Sequence, residues 1–423
     1  MIELNALTPE VIQEFLSKYL IRDDKQVKVS VKRTSLGWLK IRIITTSFEG
    51  KTLVEREEKI DALLNNLQPN LNLGQYPISG YELLTPQEAT VTPPQYIQLP
   101  LWSDILMAPE PDTPVEGFEN IHKKPLVATF YSFKGGVGCS TANGIVAGIL
   151  ASRNRRVVVI DFDLEAPGIS VMLQNDIQNT SREFEGVLDY LYQRSLTPEE
   201  DIPNINDCIA KVNLQSRGEL FLVSAGQYNE NYIHQLADLD IRSLYKREKN
   251  IIKQLIEDIK IQLEPDVILI DARSGFTDVG AIALLYLADT AIVCFSPTEQ
   301  SLQGLRWVLQ TVRKQREYQG KPYLQFLVTP IPPVAIEQQK IWRNKVESWI
   351  KDNWSLPKGM TIKELYHEIF YNPEITTLSS LVNDIPKSLI DAYVPLADSI
   401  DANLLDTKLA IAIETANDAN NGR

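Results

Sequence analysis

The sequence predicts an α/β protein: a doubly wound, mostly parallel sheet with a smaller α+β domain ahead of it. Three observations lead there. Apolar runs without alternation recur from Lys123 onward, amphipathic stretches of helical period separate them, and a proline-punctuated segment sets this region apart from the residues before it. The runs are VATFYSF (127–133), VVVIDFD (157–163), LFLVSAG (220–226), DVILIDA (266–272), TAIVCFS (290–296) and YLQFLVT (323–329). A strand that is apolar on both sides must be covered on both faces, the situation of a parallel sheet between helical layers. Stretches such as 246–263 and 301–318 supply those helices and complete a βαβ pattern. Ligands on such sheets bind beyond the carboxyl ends of the strands, where every motif below falls.

Between residues 90 and 119 stand Pro93, Pro94, Pro100, Pro109, Pro111 and Pro114, with no lysine or arginine. Proline removes a backbone donor and fixes φ, so an extended linker is expected over 90–122. It divides a first domain at 1–89 from a second at 123–423. In the first domain, 41–67 reads as a strand, a turn at Phe48, Glu49 and Gly50, and a helix over 54–67 with Ile60, Leu63, Leu64 and Leu67 on one face. That short pattern, with Arg56, resembles the BolA-like, KH-type small α/β domains.

The 423 residues, 44% hydrophobic and 23% charged, have room for more than one core. The formal net charge of −13 argues against a nucleic-acid coat or a polybasic membrane binder and leaves room only for a local basic patch. Lys25, Lys28, Lys32, Arg33, Lys40 and Arg42 form one such cluster, and Arg313, Lys314 and Arg316 another. The first comes without a GxxG loop or an aromatic stacking pair, and the second is a cluster on a helix surface, where such charges are mostly solvated; both favour solvated faces. No apolar run is long enough for a bilayer, and residues 1–5 lack the features of a secretory signal. Cys139, Cys208 and Cys294 show no paired spacing, so a reducing, cytoplasmic setting is expected.

After the first run of the second domain comes FKGGVGCST, then a helix-like ANGIVAGILASR. Gly135, Gly136 and Gly138 let backbone N–H groups turn inward around phosphate oxygens, Val137 lies between them, and the following helix adds its N-terminal donors. Ser140 is placed to give its hydroxyl to Mg²⁺, and Thr141 to reach a phosphate oxygen. Asp161 and Asp163 end the second run one residue apart, on the same side of a strand. In phosphoryl transfer one such carboxylate can hold Mg²⁺ through water while another positions the attacking water; strand-end aspartates also serve as caps. Asp271 ends the buried run 266–272, where a charge needs a partner such as Mg²⁺, and Gly275 follows it.

KGGVGCST resembles the deviant Walker A motif, KGGxGK[ST], of the MinD/ParA ATPases of the SIMIBI class, including their KGGVGR-like variants. The likeness runs from Val127 to about Ile400. It implies a P-loop NTPase fold, ATP and Mg²⁺ as ligands, and a nucleotide-dependent homodimer in which Lys134 reaches the partner's phosphates. It also implies Asp163 in the catalytic role, Asp271 as the Walker B aspartate, and Gly275 as a switch II glycine allowing backbone approach to the γ-phosphate. Cys139 departs from the motif: the family's second lysine contacts the β- and γ-phosphates. A lost charge-assisted hydrogen bond costs about 1.5–3 kcal/mol, or roughly ten- to a hundredfold in affinity. At a helix start Cys139 is also expected to have a lowered pKa. After 323–329 the chain continues as Pro330, Ile331, Pro332 and Pro333, so adenine is implied by resemblance alone.

The expected function is an ATP-binding, slowly hydrolysing dimerisation switch that regulates a protein partner through the first domain. The alternative is a non-hydrolysing nucleotide sensor or scaffold, motivated by Cys139. Placement in a signalling or conflict system is an analogy from the extra domain. A membrane cycler would need a basic amphipathic tail, and 396–423 is acidic.

Overall fold

The computed structural model describes residues 9–33, 39–67, 78–90, 101–107, 125–178, 185–196, 204–246, 250–354 and 361–402. The chain divides into two compact units, Met1–Ile97 and Gln98–Arg423.

In the first unit, α1 (Pro9–Leu20) leads into β1 (Lys28–Arg33) and β2 (Leu39–Ile44), then α2 (Leu53–Leu67), β3 (Ile78–Leu84) and α3 (Pro86–Thr90). The sheet order is β1-β2-β3, with β1 antiparallel and β3 parallel to β2. Ile12, Leu16 and Leu20 of α1 meet Ile41, Ile43 and Phe48, together with Ile60 and Leu64 of α2. Thr52 starts α2 with a capping box: its N–H donates to Glu55 Oε2 at 2.7 Å and its Oγ1 accepts from Glu55 N at 3.4 Å. Arg56 clamps the unit, donating to both oxygens of Glu88 at 2.7 and 2.9 Å and to Leu83 O at 2.8 Å. Lys25, Lys28 and Arg42 lie along the β1–β2 side of this unit; the side chains of Lys32, Arg33 and Lys40 lie outside the described residues.

The second unit is the predicted α/β sheet. Its strands are β4 (Leu126–Ser132), β5 (Arg156–Phe162), β6 (Ile209–Val212), β7 (Glu219–Val223), β8 (Val267–Ala272), β9 (Thr290–Phe295), β10 (Tyr323–Ile331) and β11 (Tyr366–Phe370). They run in the order β11-β10-β9-β4-β8-β5-β7-β6, parallel throughout except where β6 meets β7. All six apolar runs are strands, and β4, β8 and β9 are buried at every position because helices cover both faces. The two strands that sequence reasoning missed, β6 and β11, stand at the sheet edges and are short, with polar positions that break the apolar run. Helix Glu299–Gln319 is capped by Thr298, whose side chain accepts from Ser301 N, and closed by Gly320 at φ 70°. Among the described residues no helix is long and apolar enough to cross a membrane.

The segment expected as an extended linker contains a helix, α4 (Trp102–Met107). Leu101, Trp102 and Ile105 are buried in the core of the second unit, and Trp102 Nε1 donates to Thr277 O at 3.0 Å. Burial of Leu101, at its start, and of Trp102 and Ile105 within it orders this helix although the segment is rich in proline. Trp102→Ala should cost the second unit about 3–5 kcal/mol, while Trp102→Phe, which keeps bulk and loses one hydrogen bond, should cost ~1 kcal/mol. Urea unfolding followed by circular dichroism measures both; equal, negligible losses would mean that α4 is not part of this core.

Candidate functional site

The glycine-rich loop links the end of β4 to α5 (Cys139–Ser152). Gly136 and Gly138 have φ of 79° and 82°, a left-handed turn that side chains resist. Val137 is buried and pins the loop to the core beneath α5, leaving Gly135 and Gly136 exposed. Phe133 anchors the other end: its ring lies where a Cβ on Gly304 of helix Glu299–Gln319 would come within 1.9 Å. Lys134 is exposed, and its Nζ donates to Gln300 Oε1 at 2.8 Å. Thr141 is buried in the first turn of α5.

Asp161 and Asp271 are register partners at the ends of neighbouring strands β5 and β8, and both are buried. Asp161 Oδ2 accepts from Ser170 N at 2.9 Å and from Ser170 Oγ at 2.7 Å, while its Oδ1 accepts from Asp163 N at 3.2 Å. Burial still raises its pKa to about 6, partly offset by those donors. Asp271 is pushed well above the usual carboxylate range, first by burial and then by the charge of Asp161. Its Oδ2 is buried and has no partner in full hydrogen-bond geometry, although the Ser140 hydroxyl and the Ile169 N–H lie close enough to the carboxylate to offset part of that rise. A Cβ built on Gly168 would stand 3.0 Å from Ser140 Oγ and 3.9 Å from this same Oδ2, so the glycine leaves a space that the hydroxyl and the carboxylate share.

An orphaned carboxylate oxygen, a hydroxyl and a second carboxylate form an all-oxygen set that suits a hard cation. Among the described residues, no three His, Cys, Asp or Glu side chains close around one point as a direct cage. Mg²⁺ fits these residues because it keeps water and phosphate oxygens in its shell.

Asp163 is half-buried, and burial raises its pKa against the pull of Arg273. Its Oδ1 accepts from Arg273 Nη1 at 3.0 Å and from Ala166 N at 3.1 Å. Gly275, at φ 78°, donates its N–H to Ser132 O at 3.1 Å, and its carbonyl accepts from Tyr131 Oη at 3.0 Å. Phe276 beyond it stacks edge-on against Trp102 and Phe133, with ring centroids 5.1 Å away in each case.

Cys139 does not occupy an activating environment. Its Sγ turns from the loop to Cys294 Sγ on β9, 3.2 Å away, and burial followed by that contact pushes the thiol's pKa up. The expectation of a lowered pKa took account of the helix start but not of the apolar floor beneath it. Sequence reasoning also passed over Ser170, Arg273, Cys294 and Trp102. Only Arg273 had a readable signal, because it follows Asp271 by two residues and so shares its side of the strand end.

A family model described as an AAA domain matches residues 126–325. The septum site-determining protein MinD of Buchnera aphidicola subsp. Schizaphis graminum is 26% identical over 203 residues, which are 47% of this chain and 63% of that protein, less than two thirds of its length. Among solved structures, the cell division ATPase MinD of Pyrococcus furiosus is 19% identical, with 66% of this chain and 99% of that one covered and a TM-score of 0.46. A putative plasmid partition protein of Borrelia burgdorferi bound to AMPPNP is 18% identical, with 68% and 99% covered and a TM-score of 0.44.

Two outcomes follow from the electrostatics. An acid whose folded pKa lies above the 3.8 ordinary for an exposed aspartate binds extra protons in the folded state, so its contribution to stability falls as pH rises through the folded value. Asp271→Asn should therefore raise the Tm of the nucleotide-free protein at pH 7.5 by about 2–4 °C, equivalent to ~1 kcal/mol. That gain should shrink toward pH 5, as the wild-type cluster protonates. Melting curves across pH test it, and a variant less stable than wild type at pH 7.5 would contradict the unpaired charge. Cys139 should exchange with the disulfide of Ellman's reagent, releasing thionitrobenzoate, no faster than an ordinary exposed thiol.

Proposed function

We propose that this chain, whose second unit carries a MinD/ParA-type P-loop ATPase domain, is an ATP-driven dimerisation switch. It hydrolyses its nucleotide slowly and regulates a protein partner or assembly through the first unit. The observation that carries the reading is Asp271 Oδ2, buried and without a hydrogen bond, facing the same space as Ser140 Oγ at the mouth of a glycine cradle. A protein core keeps such a charge at a cost of several kcal/mol unless a ligand completes it.

In this reading the backbone N–H groups of residues 135–141 and the first turn of α5 bind the triphosphate, with Thr141 adding its hydroxyl. Ser140, Asp161 and Asp271 would hold a hydrated Mg²⁺, which when bound neutralises phosphate charge. Asp163 orients the attacking water, and Lys134, exposed at the rim of the loop, serves the partner's nucleotide. Gly275 reaches the terminal phosphate only if its N–H leaves Ser132 O. That exchange moves the loop held by Trp102, so nucleotide state and loop position are coupled. Asp161 doubles as the anchor of the segment carrying Ser170.

The contact between Cys139 and Cys294 favours a second reading, a sensor that binds nucleotide without useful turnover, because position 139 contributes no side-chain cation. Phosphate release from MgATP, set beside nucleotide binding, separates the two.

Under the switch reading, Asp163→Ala retains ATP and loses the reset step, so it should accumulate as an ATP-bound dimer. Lys134→Ala should remain monomeric while still holding nucleotide. Light scattering with and without MgATP tests both. If both variants stay monomeric in saturating MgATP, or both dimerise without it, the dimer mechanism does not apply to this chain.

A further inference from the structure

The glycine cradle carries no cationic side chain at position 139, where Cys139 Sγ turns to Cys294 Sγ at 3.2 Å. A terminal phosphate placed beside Asp161, Asp163 and Asp271 needs a positive charge close by, since unit charges at contact distance repel strongly in a partly dry site. Lys134 Nζ is exposed on Gln300, at the outer rim.

Arg273 lies on the cluster itself. It follows Asp271 by two residues, just past the end of β8, where strand alternation would keep both on the same face of the sheet. Its Nη1 is 3.0 Å from Asp163 Oδ1. Its Nε is buried and makes no hydrogen bond, the Glu165 Oε2 beside it standing 3.6 Å away. A guanidinium presents five donors in a planar fork that matches phosphate as well as carboxylate geometry, and it stays charged at any working pH. A fork with one edge on Asp163 and its Nε held only by a long ion pair to Glu165, without a hydrogen bond, can take a second anion.

We infer that Arg273 is the cation that completes this site. It takes hold of the terminal phosphate of a bound nucleoside triphosphate, and in doing so releases Asp163 to orient water. Triphosphate recognition and arming of the carboxylate are then one event, and a diphosphate, lacking the terminal group, leaves Asp163 held. The inference rests on the reading of this cavity as an ATP site.

The test is calorimetric binding of AMPPNP and of ADP, each with Mg²⁺, to the full chain and its variants, with melting curves to confirm folding. Arg273→Ala should weaken AMPPNP by about ten- to a hundredfold, the loss of one charge-assisted contact, and leave ADP within about threefold on the same scale. Arg273→Lys keeps the charge and should retain most of the preference for triphosphate. Adding Cys139→Lys to Arg273→Ala should restore AMPPNP affinity by about tenfold or more.

Because removing Arg273 also unmasks Asp163 and Glu165, the comparison is repeated in the double variant Asp163→Ala, Glu165→Gln, where neither carboxylate partner of Arg273 remains. A loss that persists there supports direct contact with phosphate; a loss that vanishes reduces Arg273 to a neutraliser of those carboxylates and overturns the inference. Unchanged AMPPNP binding in Arg273→Ala overturns it as well, with the ATP site intact. Absence of nucleotide binding by the wild-type chain overturns the reading of the site, and the inference with it.

Discussion

The constraint on which the second unit turns is the burial of two carboxylates side by side. Asp161 and Asp271 close neighbouring parallel strands, in register, where the sheet opens to its ligand face. Parallel strands bring their carboxyl ends to a common edge, so acids at the ends of β5 and β8 meet whatever the helices between them do. Burial makes both resist ionisation, and at Asp271 the charge of Asp161 adds to it, so both pKa values are raised. The neighbourhood answers unevenly: Ser170 and the Asp163 N–H satisfy Asp161, whereas Asp271 keeps one oxygen without a hydrogen-bond partner. The unevenness leaves Asp271, and not Asp161, with an unmet acceptor.

Cys139, where the motif this loop resembles has a lysine, does more than leave out a cation. A lysine there would bring a mobile charge to the cradle, whereas a thiol packs downward on Cys294 and makes the helix start part of the apolar floor. The site's remaining cationic chemistry moves to Arg273, on the segment that also contains Gly275 and Phe276. Charge and mobility are thereby placed on the same loop. Tyr131 and Trp102 hold that loop by single hydrogen bonds to backbone carbonyls, bonds that stabilise by about 1 kcal/mol each and can be exchanged for contacts of similar strength.

α4 changes the meaning of the proline-rich segment. Its prolines suit an extended path, yet Leu101, Trp102 and Ile105 together bury enough apolar surface to order a short helix on the second unit. Anything that shifts the loop at Thr277 acts on Trp102, and so on α4.

The sequence by itself determined the sheet, because burial on both faces writes a strand as an unbroken apolar run that needs no partner to be recognised. It also determined the glycine cradle and the positions of Asp161, Asp163 and Asp271, since strand-end acids and positive-φ glycines are local features. The edge strands β6 and β11 were not legible, because half-exposed strands carry polar residues and owe their place to a single neighbour. The pairing of Arg273 with Asp163 and the contact of Cys139 with Cys294 join residues separated by 110 and 155 positions. Only the tertiary structure decided those contacts. Hydrogen bonding and desolvation act through space, and no spacing along the chain records which side chains the crossovers bring together.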